Sequence, residues 1–372
     1  MHDPLPHAWT RLRDWIAGAA LPFWAGIQEP SGAWPEALHL DGAPDRGRVR
    51  RHRVQARQVI TYALATRRGW HDGDDVIRAT VDHMWRAGRS EEPPGLAHRL
   101  HADGTVADAR RDLYDHAFYL LALGWAEAVV GGQERRIADT VAFLDSLAHP
   151  SGGFREGEPA RLPRRQNPHM HLFEATLALS ELGVPGDWRA RADRLHALFG
   201  AHVFDPRLKA VREFFDAGWA WDGGTLEPGH ACEWVWLLAE YEALTDADTR
   251  ARRDALYQTA LLSGAVWLLD EVDHEGEAVR ETSRLWVQCE LVKAHLAQSR
   301  DGVPGARGMA AAAVHGLLDG WLEPRGTWVD QRGACGQRVS RDIPTSTFYH
   351  IAVMAAAVED AVKYPPSGPT SR

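Results

Sequence analysis

Six residues, Arg57, Tyr114, His171, His230, Gln288 and His350, recur at intervals of 57, 57, 59, 58 and 62 residues, each near the start of a stretch that reads as an apolar helix. A period this even marks a repeated supersecondary unit, one that cannot bury its apolar face alone and must stack on its neighbours. The fourth instance is the clearest. Pro228 and Gly229 break the preceding segment, and Ala231 to Leu244 is an almost unbroken apolar run, so His230 falls in the first turn of a buried helix.

The rest of the chain fits such a unit. Twelve helices are predicted, near 6–23, 52–68, 72–88, 111–130, 133–148, 168–183, 187–200, 229–244, 248–270, 283–299, 304–321 and 345–363. No run of alternating residues long enough for a strand separates them, so the predicted class is all-α. Odd-numbered helices are amphipathic: Val76, Ile77, Val81, Met84 and Trp85 form one stripe, and Trp188, Ala192, Leu195 and Phe199 another. Even-numbered ones, such as Leu113 to Ala126, are apolar nearly all round and belong inside. Inner helices lead to outer ones by short links such as Val184-Pro185-Gly186. Outer helices lead to inner ones by long links with hairpin-like turns, such as Pro150-Ser151-Gly152-Gly153-Phe154 and Pro324-Arg325-Gly326-Thr327-Trp328. The expected architecture is an (α/α)6 barrel of six inner and six outer helices. It forms one domain over 1–363, with 364–372 a disordered tail and the six inner-helix N-termini gathered at one end.

Composition excludes several functions. A net charge of −9, with only short, interrupted arginine patches, does not suit a nucleic-acid or anionic-membrane surface. Cys232, Cys289 and Cys335 are too few and too dispersed for a disulfide framework or a zinc site, and no apolar run approaches membrane-spanning length. The N-terminus lacks a basic region followed by an apolar core, so a cytoplasmic protein is expected. The monomer and the homodimer are both open.

If six inner helices converge at one end, Arg57, Tyr114, Asp115, Asn167, His171, His230, Glu233, Trp286, Gln288 and His350 surround one pocket. Hydrogen-bonding groups beside tryptophan suit a polyhydroxylated ligand, because sugar hydroxyls need partners and sugar C–H faces stack on aromatic rings. A metal is not expected: His169 and His171, two apart on a helix, point in different directions. Nor is a cofactor. Tyr114 and Trp286 could equally be core.

Six segments in order carry a resemblance: Val54-Gln55-Ala56-Arg57-Gln58, Asp112-Leu113-Tyr114-Asp115-His116-Ala117-Phe118, Arg165-Gln166-Asn167-Pro168-His169-Met170-His171, Glu227-Pro228-Gly229-His230, Arg284-Leu285-Trp286-Val287-Gln288 and Ser346-Thr347-Phe348-Tyr349-His350. The chain resembles the N-acylglucosamine 2-epimerase superfamily of (α/α)6 barrels, which includes mannose isomerases, sulfoquinovose isomerases and cellobiose 2-epimerases. The Asn167 segment is most similar to the mannose-isomerase branch. The resemblance implies that His230 and His350 are acid/base catalysts, that Arg57, Asn167, His171 and Glu233 hold the sugar or position those histidines, and that Trp286 is a pocket wall. Tyr114 and Gln288 complete the expected substrate-binding set. The sequence departs from some isomerases of the group, which carry an arginine shortly before Gly-His; Gly218-Trp219-Ala220-Trp221-Asp222 has none.

The expected reaction interconverts D-mannose, or a related unphosphorylated aldose, and D-fructose through a cis-enediolate. His350 is the base at carbon. His230, oriented by Glu233 one helical turn along, assists ring opening and proton return, and Arg57 stabilises the enediolate oxygen. The alternative is a 2-epimerase of N-acylglucosamine or cellobiose/mannose type. A glycoside hydrolase using Asp115 and Glu233, or a non-catalytic sugar-binding protein, is a more distant reading.

Overall fold

A computed structural model describes residues 3–91, 94–221, 223–262 and 267–365; the expected tail from residue 366 onward lies outside them. Twelve helices stand close to the predicted positions, except that the ninth, expected over 248–270, ends at Leu261. α1 runs as Leu5–Trp15, a wide π turn at Ile16–Ala20, and Leu21–Ala25. It is followed by α2 (His52–Arg68), α3 (Asp74–Gly88), α4 (Leu113–Val130), α5 (Glu134–Ser146), α6 (Gln166–Glu181), α7 (Trp188–Leu198), α8 (Pro228–Thr245), α9 (Arg250–Leu261), α10 (Leu285–Arg300), α11 (Ala306–Gly320) and α12 (Thr347–Lys363). Local chemistry sets the ends. The Asp112 carboxylate accepts from Tyr114 and Asp115 N–H to cap α4, Pro228 occupies the first turn of α8, and Gly69 in the left-handed region ends α2.

Even and odd helices pack differently. α2 packs on α4, α4 on α6, α6 on α8, α8 on α10, α10 on α12, and α12 returns to α2. Each odd helix leans on the outside of this ring, α1 against α11 and α12, α3 against α2 and α4, α9 against α8. The even helices are therefore enclosed on all sides, which is why they read as apolar all round. One continuous hydrophobic cluster runs from Leu5 to Val358.

The expectation that strands are absent needs correction. The long connections carry strands of two or three residues, and most of the pairs join one connection to the next. Arg50–Arg51 pairs with Arg99–Leu100, Arg111–Asp112 with Gly157–Glu158, Arg164–Arg165 with Phe214–Phe215, and Thr282–Arg284 with Gln331–Gly333. Leu226 bridges to Val272, and Ala37–Leu38 pairs with Ile343–Pro344. The six long connections thus form a closed girdle around one end of the helix ring. Segments this short show no period-two pattern, yet their backbone N–H and C=O groups still need partners.

Inner helices approach closely where a side chain is missing. A Cβ on Gly124 of α4 would stand 2.3 Å from Leu179 Cδ1 and 2.6 Å from its Cγ on α6. Gly124→Val is expected to lower the unfolding free energy by about 1–3 kcal/mol through overpacking, read as a lower urea midpoint at unchanged slope.

Candidate active site

Inside the girdle lies a cavity of about 660 Å³ whose lining includes Arg57 from α2, Tyr114 from α4, Asn167 and His171 from α6, His230 and Glu233 from α8, Trp286 from α10 and His350 from α12. All six inner helices contribute. Helix N-termini add partial positive charge to this end, and the connections supply Arg51, Phe214, Glu227, Asp270, Glu271, Arg280, Arg284 and Asp330.

His230 and His350 flank one indole. Their ring centroids lie 5.4 and 5.6 Å from that of Trp286, so the two imidazoles are no further apart than those distances laid end to end, about 11 Å. Gly229 permits the approach: a Cβ there would stand 2.6 Å from Trp286.

The two rings are buried alike but charged differently. His230 Nδ1 stands 2.9 Å from Glu213 Oε1 and 3.7 Å from Glu227 Oε2. Burial opposes the charged ring, but Glu213 and Glu227 outweigh it and raise the His230 pKa to about 10. His350 Nδ1 donates to Glu290 Oε1 at 2.8 Å, and Glu290 is also ion-paired with Lys293 at 2.6 Å. With its carboxylate already compensated by an ammonium, His350 follows burial instead, down to about 4. At neutral pH His230 is an imidazolium and His350 a neutral base.

Asn167 Nδ2 lies 2.9 Å from His230 Nε2, while Asn167 Oδ1 is buried without a partner among the described residues. A charged His230 donates from both nitrogens, so half a turn of the amide gives that oxygen the imidazolium N–H. Arg57 donates to the Tyr114 hydroxyl at 3.0 Å and lies over the Phe118 ring at 4.3 Å. His171 donates from Nδ1 to Glu174 at 2.9 Å and packs on Phe118.

Two expectations change. Glu233 does not orient His230; Glu213, 17 residues upstream in the preceding connection, makes that hydrogen bond. Gln288 is absent from the cavity lining. Its amide accepts from Leu268 N–H at 3.0 Å and donates to Leu268 C=O at 2.9 Å. Gln55 holds Trp34 in the same way, and His116 and His169 each accept a loop N–H, from Leu96 and Phe154. All four are the fourth residue of their helix, a register that anchors the preceding connection. Asp115, considered as a hydrolase carboxylate, is tied to Arg53 and His98 and also lies outside the lining.

Glu213, Glu174, Glu290 and Lys293 were missed. Glu213 sits in a connection, where periodicity has no hold; the others lie one turn or more beyond the helix starts that drew attention. His230 with Glu213 and Glu227, and His350 with Glu233 and Glu290, each bring three potential ligand atoms within 4.8 Å of one another, with one carboxylate in each set already bonded to imidazole.

Fold and cavity together point to an enzyme of sugar isomerisation or 2-epimerisation, and comparison with known proteins supports that class. The chain belongs to the N-acylglucosamine 2-epimerase (GlcNAc 2-epimerase) family, whose model matches residues 33–354. A mannose-6-phosphate isomerase of Rhizobium meliloti (strain 1021) is 37% identical over a 385-residue alignment spanning 95% of this chain and 97% of that one. A D-mannose isomerase of Thermobifida fusca is 30% identical over 253 residues, 58% of this chain and 61% of that one. Among solved structures, the cellobiose 2-epimerase from Bacillus thermoamylovorans B4167 superposes with a TM-score of 0.84 at 19% identity, covering 94% of this chain and 98% of that one. A D-mannose isomerase gives 0.83 at 16%, covering 96% and 97%. Among the described residues no helix is long and apolar enough to cross a membrane.

Gln288→Ala would strand the buried Leu268 N–H and C=O. It is expected to lower the unfolding free energy by about 1–3 kcal/mol in urea titration, with catalysis at permissive temperature less affected than by any change at His230.

Proposed function

We propose that this chain is an aldose–ketose isomerase acting on D-mannose, or a related unphosphorylated aldose, to give D-fructose, within a single (α/α)6-barrel domain over 1–363. The barrel is supported by the closed order of inner-helix contacts and by the TM-scores to the solved structures. The observation that carries the chemistry is the pair of imidazoles beside Trp286, one held neutral and one held charged.

In the open-chain aldose, His350 takes the proton from C2 while the C1 carbonyl oxygen takes one from His230. The product is a neutral enediol, reached through enediolate-like charge on O1 that Arg57 stabilises. The enediol then gives up its O2 proton to His230, and His350 delivers its proton to C1. Both histidines return to their starting states, and the carbonyl has moved from C1 to C2. Replacing the proton at C2 instead, on the other face, would be 2-epimerisation.

Charge supports an unphosphorylated substrate. Arg51 pairs with Glu36, Arg280 with Glu271 at 2.8 Å, and Arg284 with Asp270 at 3.2 Å. Of the cationic side chains lining the cavity, Arg57 alone lacks a carboxylate partner among the described residues, and Glu227, Asp270, Glu271 and Asp330 line the same space. A phosphate dianion meets little uncompensated positive charge there. The name of the Rhizobium relative points the other way, so the two substrates are the direct test.

Proton NMR in deuterated water is expected to show mannose converting to fructose, with deuterium entering at the reacting carbon and kcat/KM for mannose 6-phosphate at least about tenfold lower. Glucose formed from mannose without fructose would identify an epimerase. His350→Asn and His230→Asn are each expected to reduce kcat by about 10²–10⁴-fold. The base is competent above its lowered pKa and the acid below its raised one. The kcat/KM profile should therefore be flat through neutrality, falling below about pH 4 and above about pH 10.

A further inference from the structure

Three carboxyl groups stand in a row beneath the cavity, Glu174 on α6, Glu233 on α8 and Glu290 on α10. Glu233 has oxygen atoms within 4.8 Å of each neighbouring group: of His171 and Glu174 on one side, and of Glu290 and His350 on the other. Each of the two outer carboxyls is compensated, Glu174 by two donors and Glu290 by a donor and an ammonium. Glu174 accepts from His171 Nδ1–H and from the Tyr349 hydroxyl; Glu290 accepts from His350 Nδ1–H and is ion-paired with Lys293. Among the described residues the central one receives no hydrogen bond. His171 Nδ1 is 3.8 Å away and committed to Glu174, and Glu233 Oε1 is buried with no hydrogen-bond partner among the described residues.

Charge makes the arrangement more pointed. The groups facing Glu233 are His230 on its own helix, His171 and Glu174 from α6, Glu290 and Lys293 from α10, and Tyr349 and His350 from α12, with Arg57 from α2 lining the same cavity. Among the described residues Lys293 is the one ammonium in direct contact with any of the three carboxyls, and it sits on Glu290. Two carboxylates already in place, with donors, disfavour a third between them.

We infer that Glu233 is held as a neutral carboxylic acid and meets the bound sugar as a hydrogen-bond donor, not as a carboxylate. Burial and the Glu290 charge both push it in that direction, well above the usual carboxylate range. Because Glu233 lines the cavity, its O–H is available to a sugar oxygen that gains negative charge as the carbonyl moves, the use an apolar or like-charged site makes of a protonated carboxyl. The group has no catalytic need to change protonation. It is a fixed donor, complementary to His350, which takes its proton at the neighbouring carbon.

This inference rests on the sugar-isomerase reading only for its function; the protonation itself can be seen without turnover. Infrared difference spectra of the full-length wild type against Glu233→Gln at pH 7 are expected to contain a protonated-carboxyl C=O band that shifts in deuterated water. In mannose turnover, Glu233→Gln, which still donates a hydrogen bond, should lose about tenfold and Glu233→Ala about a hundredfold more. Absence of the band, or equal losses in the two variants, would overturn the proposal. If neither mannose nor any other aldose reacts, the function reading falls while the band still decides the state of Glu233.

Discussion

Six stretches of irregular backbone meet at one end of a ring of apolar helices, and every buried N–H and C=O in them needs a partner. The rest of the architecture depends on meeting that demand. Each connection borrows a two- or three-residue pairing, or a single bridge, from its neighbour, and the last connection pairs with the first through Ala37–Leu38 and Ile343–Pro344. Where pairing does not reach, a helix side chain does: Gln55, His116, His169 and Gln288 hold loop backbone from the fourth position of their helices. A cavity of this size can stay open at the centre because its walls are fixed from behind.

The same economy of partners sets the electrostatics. His230 and His350 are buried to a similar degree, so burial cannot distinguish them. What differs is the set of charges around each ring. His230 has Glu213 at 2.9 Å and Glu227 at 3.7 Å, the latter 3.8 Å from the Arg284 guanidinium, whereas His350 bonds Glu290, which is held at 2.6 Å by Lys293. The carboxylates gathered on His230, and the Arg57 and Lys293 charges near His350, thus separate the protonation states of two chemically identical rings, while for the third carboxyl, Glu233, burial and the Glu290 charge prevail over Lys293.

Much of the helical order is legible in the sequence because burial on all sides leaves an unmistakable mark: Leu113 to Ala126 and Ala231 to Leu244 can only be inside. The convergence of residues from all six inner helices follows from the period. The girdle is not legible, since pieces such as Phe214–Phe215 are shorter than any pattern that would announce them. Gln288 shows how spacing misleads. It falls on the period, but the period is that of the helix, and two residues of register separate a cavity wall such as Trp286 from a backbone anchor. Glu213 is invisible for a related reason: it acts on His230 from a connection, and linear distance along a loop says nothing of proximity.

The wall formed by the connection before α8 bears on which sugars fit. The stretch Gly218 to Asp222 has no arginine, and the connection meets the cavity with Phe214, Thr225 and Glu227. Trp219, with a left-handed backbone at φ 70°, turns away from the cavity; its ring lies 3.9 Å from the Arg164 guanidinium and packs edge-on to His169. A cation is therefore present in this region but lies behind the wall, its donors committed to the carbonyls of Gly152, Phe154 and Ala217. An arginine at the cavity face could grip a substrate oxygen or anion from this side. Phe214 offers an apolar surface beside Thr225 and Glu227 of the same connection, and the polar contacts that hold the reacting end of a sugar come from Arg57, Asn167, Glu233 and the two imidazoles. The arrangement suits a ligand that presents a C–H face to one wall and its reacting oxygens to the other.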